Sequence, residues 1–278
     1  MRHPAQLLKA HSLYASKRRG QNYLCQPATA EAIVRLAGVG PQDTVVEIGA
    51  GLGALTLPLA AVAGQVIALE IDRGIFKVLE KVLEDELSAC SNVELRLMDA
   101  LDFDWAQLPA PVKVVGNLPY AISSPLLFTL LQNMPAWQSS TLMLQKELAE
   151  RLSTAPGSKT YGRLSVLVQS LCHVQEQMVV GPHNFFPSPA VDSLVFTLTP
   201  RQTPLVAAHE QVWFSQVVKA AFAQRRKTLL NSLGAGLSMA RGSVLAGLEQ
   251  AGLKPSLRAE SLSIEQLASL ARALSERD

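Results

Sequence analysis

Asn117, Leu118, Pro119 and Tyr120 stand in a row at the end of the apolar run 112–116, and together they outline a pocket for a planar amine. An exocyclic amine on a purine is a poor nucleophile, because its lone pair is delocalised into the ring. A site that alkylates it must localise that pair. The Asn117 side-chain oxygen and the Leu118 carbonyl can each accept one N–H bond from the amine. Pro119 donates nothing and fixes its own φ, which holds that carbonyl in place. Tyr120 can then stack on the ring face. Taken alone, the four residues also fit a strand followed by a proline turn.

A second group of residues has the spacing of a nucleoside site. A strand at 44–48 runs into Gly49, Ala50, Gly51, Leu52, Gly53 and Ala54 at the start of a helical pattern, and Glu70 ends the next strand about twenty residues on, where a carboxylate can accept both ribose hydroxyls. Gly49, Gly51 and Ala54 satisfy the G-x-G-x-x-A dinucleotide pattern, so a nicotinamide enzyme competes. Two residues favour S-adenosylmethionine. Glu47 sets a carboxylate next to the turn, which suits organising the turn, or the aminoacyl and sulfonium end of a cationic ligand, better than a pyrophosphate. Asp99 follows the third strand, where it can accept from an adenine amino group or cap a helix.

Phe185 and Phe186 precede Pro187, Ser188 and Pro189 in a stiff loop, and either ring can cover the base face opposite Tyr120. Lys17, Arg18 and Arg19 form one basic cluster; Arg225, Arg226 and Lys227 form another, placed by its pattern in the first helix of the tail with Lys219 upstream. Residues 1–30 carry five Lys/Arg and no acid (+5), 31–199 carry ten against seventeen (−7), and 200–278 carry ten against six (+4). An acidic body between a basic arm and a basic tail suits an anionic polymer, and such cations position RNA through its phosphates.

The elements that must hold these residues are legible as alternation. Strand-like runs at 44–48, 66–70, 93–98 and 112–117 are separated by helical patterns such as 54–63 and 75–87, which predicts a parallel sheet covered on both faces. Further strands are expected at 141–145, 174–180 and 194–198, the last two adding an antiparallel pair at one edge. Beyond residue 200 the pattern is helical, at about 209–233, 238–251 and 264–274, with Ser263 and Gln266 spaced as a capping box. The expected organisation is a basic arm over 1–30, a catalytic α/β domain over 31–200 and a helical domain over 201–278.

Composition narrows the class. With 278 residues, 48% of them hydrophobic, the chain can bury a sizeable core, and no apolar run reaches membrane-spanning length. The amino terminus lacks the apolar stretch of a secretion signal. Cys25, Cys90 and Cys172 are isolated and odd in number, so the expectation is a reduced, cytoplasmic protein without a metal site.

Together these residues resemble the KsgA family of ribosomal RNA adenine N6-dimethyltransferases, also called RsmA. The matching stretches are 20–24, 46–56, 70–72, 99–100, 116–125, 144–152, 185–193, 222–233 and 258–263, in order along nearly the whole chain. The resemblance implies a Rossmann-like class I methyltransferase dependent on S-adenosylmethionine, with a small all-helical C-terminal domain. It implies that Asn22, Leu24, Gly49, Gly51, Glu70, Asp99 and Asn117 line the cofactor site. It also implies that Asn117, Leu118, Pro119 and Tyr120 hold the target adenine, with Phe185 at the stacking position. The implied substrate is a pair of adjacent adenosines in the 3′-terminal hairpin of 16S rRNA, within a 30S subunit or late precursor. A monomer is expected, because the subunit itself supplies the large contact surface. Departures from the pattern are Ala50 for proline, Tyr23 for phenylalanine, Arg19 for an apolar residue and Leu230 for a basic one. Two alternatives share the pocket or the fold: a large-subunit RNA methylase of the erythromycin-resistance type, and a non-catalytic RNA-binding assembly factor.

Overall fold

Strands rich in Val and Ile between amphipathic helices need a sheet that is covered on both faces, and the computed structural model of the chain has one. It describes residues 2–16, 20–86, 92–108, 111–119 and 122–275. In chain order the main elements are α1 (Pro4–Ala10), β1 (Tyr23–Leu24), α2 (Pro27–Leu36), β2 (Thr44–Ile48), α3 (Thr56–Ala60), β3 (Gln65–Glu70), α4 (Arg73–Glu86), β4 (Val93–Leu97), β5 (Val112–Asn117) and α5 (Ser123–Gln132). They continue with β6 (Trp137–Gln145), α6 (Lys146–Ser153), α7 (Arg163–Leu171), β7 (Cys172–Val180), β8 (Phe185–Phe186), β9 (Ser193–Pro200), α8 (Gln211–Phe222), α9 (Leu229–Leu237), α10 (Arg241–Gln250) and α11 (Ile264–Ser275).

Seven strands form one sheet in the order β4-β3-β2-β5-β6-β9-β7. The first five run parallel, and β9 is antiparallel to β6 with Leu142 opposite Phe196. Val45, Val46, Val66, Ala68 and Val115 are fully buried between helix layers, which is why these runs read as continuously apolar. Strand β6 starts at Trp137, earlier than its apolar core suggests. The polar run Gln138, Ser139, Ser140 conceals the start, and the Trp137 indole N–H donates to the Leu130 carbonyl at 2.8 Å.

Strand order reverses between β2 and β3 on one side and β5 on the other, so the loops leaving β2, β3, β4 and β5 open at the crevice where such sheets hold ligands. Gly116 permits the closest part of this arrangement. It lies opposite Ile48, and a Cβ there would stand 2.8 Å from the Ile48 carbonyl oxygen. Helix α4 starts where Asp72 Oδ1 accepts the Gly74 and Ile75 N–H groups, and it buries Ile75, Val78, Leu79 and Val82. Leu7 and Leu8 of α1 pack on Ile75, Val78 and Val82, tying residues 4–10 to that helix. The antiparallel pair β1 and β8 sets Tyr23 opposite Phe186 and Leu24 opposite Phe185.

The chain divides into two compact units: residues 1–149 with 175–199, and residues 150–174 with 200–278. The second unit is helical. Its expected first helix over 209–233 is two helices, α8 and α9, and Arg225, Arg226 and Lys227 lie in the turn between them rather than in a helix. In this turn the Arg225 guanidinium donates to the Lys159 carbonyl at 2.7 Å and the Tyr161 carbonyl at 3.3 Å. Leu230 is buried in α9, as its apolar side chain requires. The capping box at α11 forms in both directions, Ser263 N–H to Gln266 Oε1 at 2.9 Å and Gln266 N–H to Ser263 Oγ at 3.2 Å.

Candidate active site

A cleft of about 280 Å³ opens at the ends of the parallel strands. Its floor is the glycine turn. Gly49 and Gly51 have φ of +74° and +57°, a region that side chains resist, and a Cβ on Gly51 would also press on the Tyr23 ring at 3.3 Å. Glu70 closes the turn from the neighbouring strand. Its Oε2 accepts the Gly51 N–H at 2.9 Å and its Oε1 accepts the Asp72 N–H at 2.8 Å, and the residue is only 7% exposed. Burial raises its pKa, and the N–H bonds from Asp72 and Gly51 pull it back.

This arrangement separates the two cofactor readings. A pyrophosphate needs the free N–H groups of such a turn, but here the Gly51 N–H already belongs to a carboxylate. The oxygens of Glu70 keep further lone pairs for ribose hydroxyls. The Asp99 Oδ1 caps the short helix Ala100–Asp102 by accepting the Leu101 N–H at 2.9 Å, and Asp99 also lines the cleft. A turn with its anion site filled, a buried acid and a second acid across the cleft fit S-adenosylmethionine.

Glu47 corrects the expectation placed on it. It is 1% exposed, lies outside the cleft wall, and its Oε2 has no hydrogen-bond partner among the described residues. Burial pushes its pKa from 4.5 to about 8, with Thr56 opposing and Glu70 adding. Between those pH values the folded chain holds a proton that the unfolded chain has lost. Stability therefore falls as pH rises through that window, by up to about 1.4 kcal/mol per pH unit. Glu47→Gln removes this titration. In urea unfolding, the variant's stability relative to the parent is expected to be higher at pH 8 than at pH 5; an equal difference at both would mean that Glu47 ionises freely in the fold.

At the other end of the cleft, β5 delivers Asn117. Its Nδ2 donates to the Asn22 carbonyl at 3.1 Å. A carbonyl can only accept, so this contact fixes which end of the amide is which. The Asn117 Oδ1 and the Leu118 carbonyl accept no hydrogen bond among the described residues. The Leu118 N–H donates to the Met143 carbonyl at 3.1 Å, and the Pro119 carbonyl accepts the Ile122 N–H at 3.2 Å and the Ser123 hydroxyl at 3.0 Å, which anchors the turn. Phe185 lines the cleft, whereas Phe186 packs in the cluster around α1 with its ring 5.7 Å from that of His3.

The structure thus brings Asn22, Gly49, Gly51, Glu70, Asp99, Asn117, Leu118, Pro119 and Phe185 to one cleft. Leu24 does not line it; its side chain is buried in the sheet core at 2% exposure. Tyr120, Cys90 and the cluster Lys17, Arg18, Arg19 lie outside the described residues. In the second unit, Lys219, Arg226 and Lys227 are exposed. Gln21, Ile71, Met98 and Ile122 are among the other residues of the wall and were not predicted as site residues from sequence. Ile71 had a signal, as an apolar residue directly after the acid expected to hold the ribose, and in the structure it is 57% exposed. No helix among the described residues is long and apolar enough to cross a membrane. No described group of three His, Cys, Asp or Glu is placed to hold a metal.

Fold and cleft together define a Rossmann-like methyltransferase dependent on S-adenosylmethionine. The profile of the family described as ribosomal RNA adenine dimethylase matches residues 13–276. The chain is 43% identical to the ribosomal RNA small subunit methyltransferase A of Moorella thermoacetica, over 96% of this chain and 95% of that one. Among solved structures it is similar to a dimethyladenosine transferase from Plasmodium falciparum, with TM-score 0.75 and 27% identity over 89% of this chain and 95% of that one. It is also similar to the 23S rRNA methyltransferase ErmE, with TM-score 0.67 and 28% identity over 91% of this chain and all of that one. The chain belongs to the ribosomal RNA adenine dimethylase family. It is an rRNA adenine dimethyltransferase that uses S-adenosylmethionine.

Proposed function

We propose that this enzyme dimethylates N6 of two adjacent adenosines in the 3′-terminal hairpin of 16S rRNA, acting as a cytoplasmic monomer on the 30S subunit or its late precursor. The relatives named as small subunit methyltransferases support this choice of RNA. The observation that carries the chemistry is the Asn117 amide, whose donor end is committed to Asn22 so that its acceptor end is available to an amine.

S-adenosylmethionine supplies an electrophilic methyl group on its sulfonium when bound. In our reading Glu70 takes the ribose hydroxyls, Asp99 the adenine amino group, and the Gly49 and Gly51 turn with Asn22 the remainder, while Leu24 supports this wall from beneath. Asn117 Oδ1 and the Leu118 carbonyl accept the two N–H bonds of the target amine. That concentrates its lone pair away from the ring and aims it across the cleft. Pro119 holds the carbonyl, and Phe185 and Tyr120 cover the base. The chain needs no general base, because the alkylated amine is acidic and its proton passes to water. Adding the second methyl requires the singly methylated amine to turn and rebind, with one acceptor then facing a methyl group.

Lys17, Arg18 and Arg19 in the arm, and Lys219, Arg226 and Lys227 in the helical unit, are assigned to RNA phosphates. Arg225 holds the turn that presents its neighbours. Mapping the product by reverse transcription and nucleoside analysis tests the assignment. Two adjacent N6,N6-dimethyladenosines near the 3′ end are expected; a single modified base, or a monomethylated product at saturation, would contradict it.

A further inference from the structure

Gln21 lies in the cleft wall with both ends of its amide engaged. Its Oε1 accepts the Ser16 N–H at 2.8 Å, and its Nε2 donates to Asp72 Oδ2 at 3.2 Å. Its own N–H returns to the Ser16 carbonyl at 3.2 Å. Asp72 belongs to the cofactor end of the cleft: its N–H is held by Glu70 Oε1, and its Oδ1 starts α4. The residue after Gln21 belongs to the other end, because the Asn22 carbonyl receives the Asn117 amide. A hydrogen-bonded path therefore runs from the Gly51 N–H through Glu70 and Asp72 to Gln21, then along one peptide to Asn22 and Asn117.

We propose that Gln21 is a positioning residue that couples the seating of the nucleoside at Glu70 to the orientation of the Asn117 amide. The proposal rests on the roles assigned above to Glu70 and Asn117. The geometry is suited to this task because each contact has only one chemically allowed polarity. Ser16 offers an N–H, which fixes the Gln21 oxygen. Asp72 offers a carboxylate oxygen, which fixes the Gln21 nitrogen. When the Asp72 contact is lost, the peptide at 21–22 can rotate, and the Asn22 carbonyl leaves the Asn117 amide free to turn its donor end toward the amine.

That fixed polarity supplies a specific test. Gln21→Glu keeps the Ser16 contact but sets a carboxylate against Asp72, and Asp72→Asn sets a second amide donor against the Gln21 nitrogen. The double variant, Gln21→Glu with Asp72→Asn, reverses the polarity and restores the bond: the new amide at position 72 donates and the new carboxylate at position 21 accepts, with total charge unchanged and asparagine still able to start α4. Two quantities are measured for each variant: affinity for S-adenosylhomocysteine by calorimetry, and kcat for methyl transfer to small subunits lacking the modification. Each single variant is expected to lose about tenfold in both, the effect of one hydrogen bond to a charged group, and the double variant to return to within about threefold of the parent. Single variants that match the parent, or a double variant that shows the product of the two losses, would overturn the coupling. A parent that binds S-adenosylhomocysteine yet fails to methylate small subunits would instead count against the assigned substrate, and the affinity series would still decide the role of Gln21.

Discussion

Replacing Asn117 with alanine is expected to lower kcat about a hundredfold to a thousandfold, the scale seen when a preorganised polar group is removed from a reaction centre. Affinity for S-adenosylhomocysteine should change far less. The reason lies in the two ends of the amide. Nδ2 is committed to the Asn22 carbonyl at 3.1 Å, which leaves the oxygen as the end assigned to the amine. Asn117→Asp sharpens the test. It keeps an acceptor but sets a carboxylate oxygen against the Asn22 carbonyl, so the side chain must turn away. Its kcat is expected to resemble that of the alanine variant. Single-turnover rates with unchanged kcat in both variants would remove the polarising role.

Glu70→Ala should have the second large effect, on affinity rather than on the chemical step. The carboxylate accepts the Gly51 and Asp72 N–H groups at 2.9 and 2.8 Å while keeping lone pairs toward the cleft. Its loss leaves two partly buried donors unpaired, which costs roughly 1–3 kcal/mol each in the fold. It also removes the acceptor assigned to both ribose hydroxyls, so affinity for S-adenosylhomocysteine is expected to fall about a hundredfold or more. Glu70→Gln should fall nearly as far, because one amide end must point an N–H at a backbone N–H. Calorimetry on the two variants separates this account from a purely steric one, in which glutamine would be tolerated.

The strand ends were the legible part of this site. Glycine turn, Glu70, Asp99 and Asn117 each follow an apolar run, and a parallel sheet carries the ends of successive runs to one edge, so pattern alone placed them together. Other features depend on contacts between distant segments. Asn22 and Asn117 are 95 positions apart, and Gln21 and Asp72 are 51 apart. No local periodicity records such pairings. Glu47 was misread because adjacency to a turn does not say which way a strand residue points; alternation turned it into the core and left Glu70 to organise the turn. Nor does sequence show that the Leu24 side chain, paired with Phe185 across β1 and β8, turns into the sheet core. In the tail, helical propensity across 209–233 concealed a break at which Arg225 donates to carbonyls more than sixty positions away. Phe185 and Phe186 could not be told apart from sequence; in the structure Phe185 borders the cleft while packing with Leu24 in the sheet core, and Phe186 packs around α1.

The most direct test of the account is transfer of labelled methyl groups from S-adenosylmethionine to purified small subunits lacking the modification, with large subunits and naked rRNA as parallel substrates. Label recovered as N6,N6-dimethyladenosine from small subunits alone is the predicted result. Label in large-subunit RNA, or none in any substrate despite RNA binding, would contradict it.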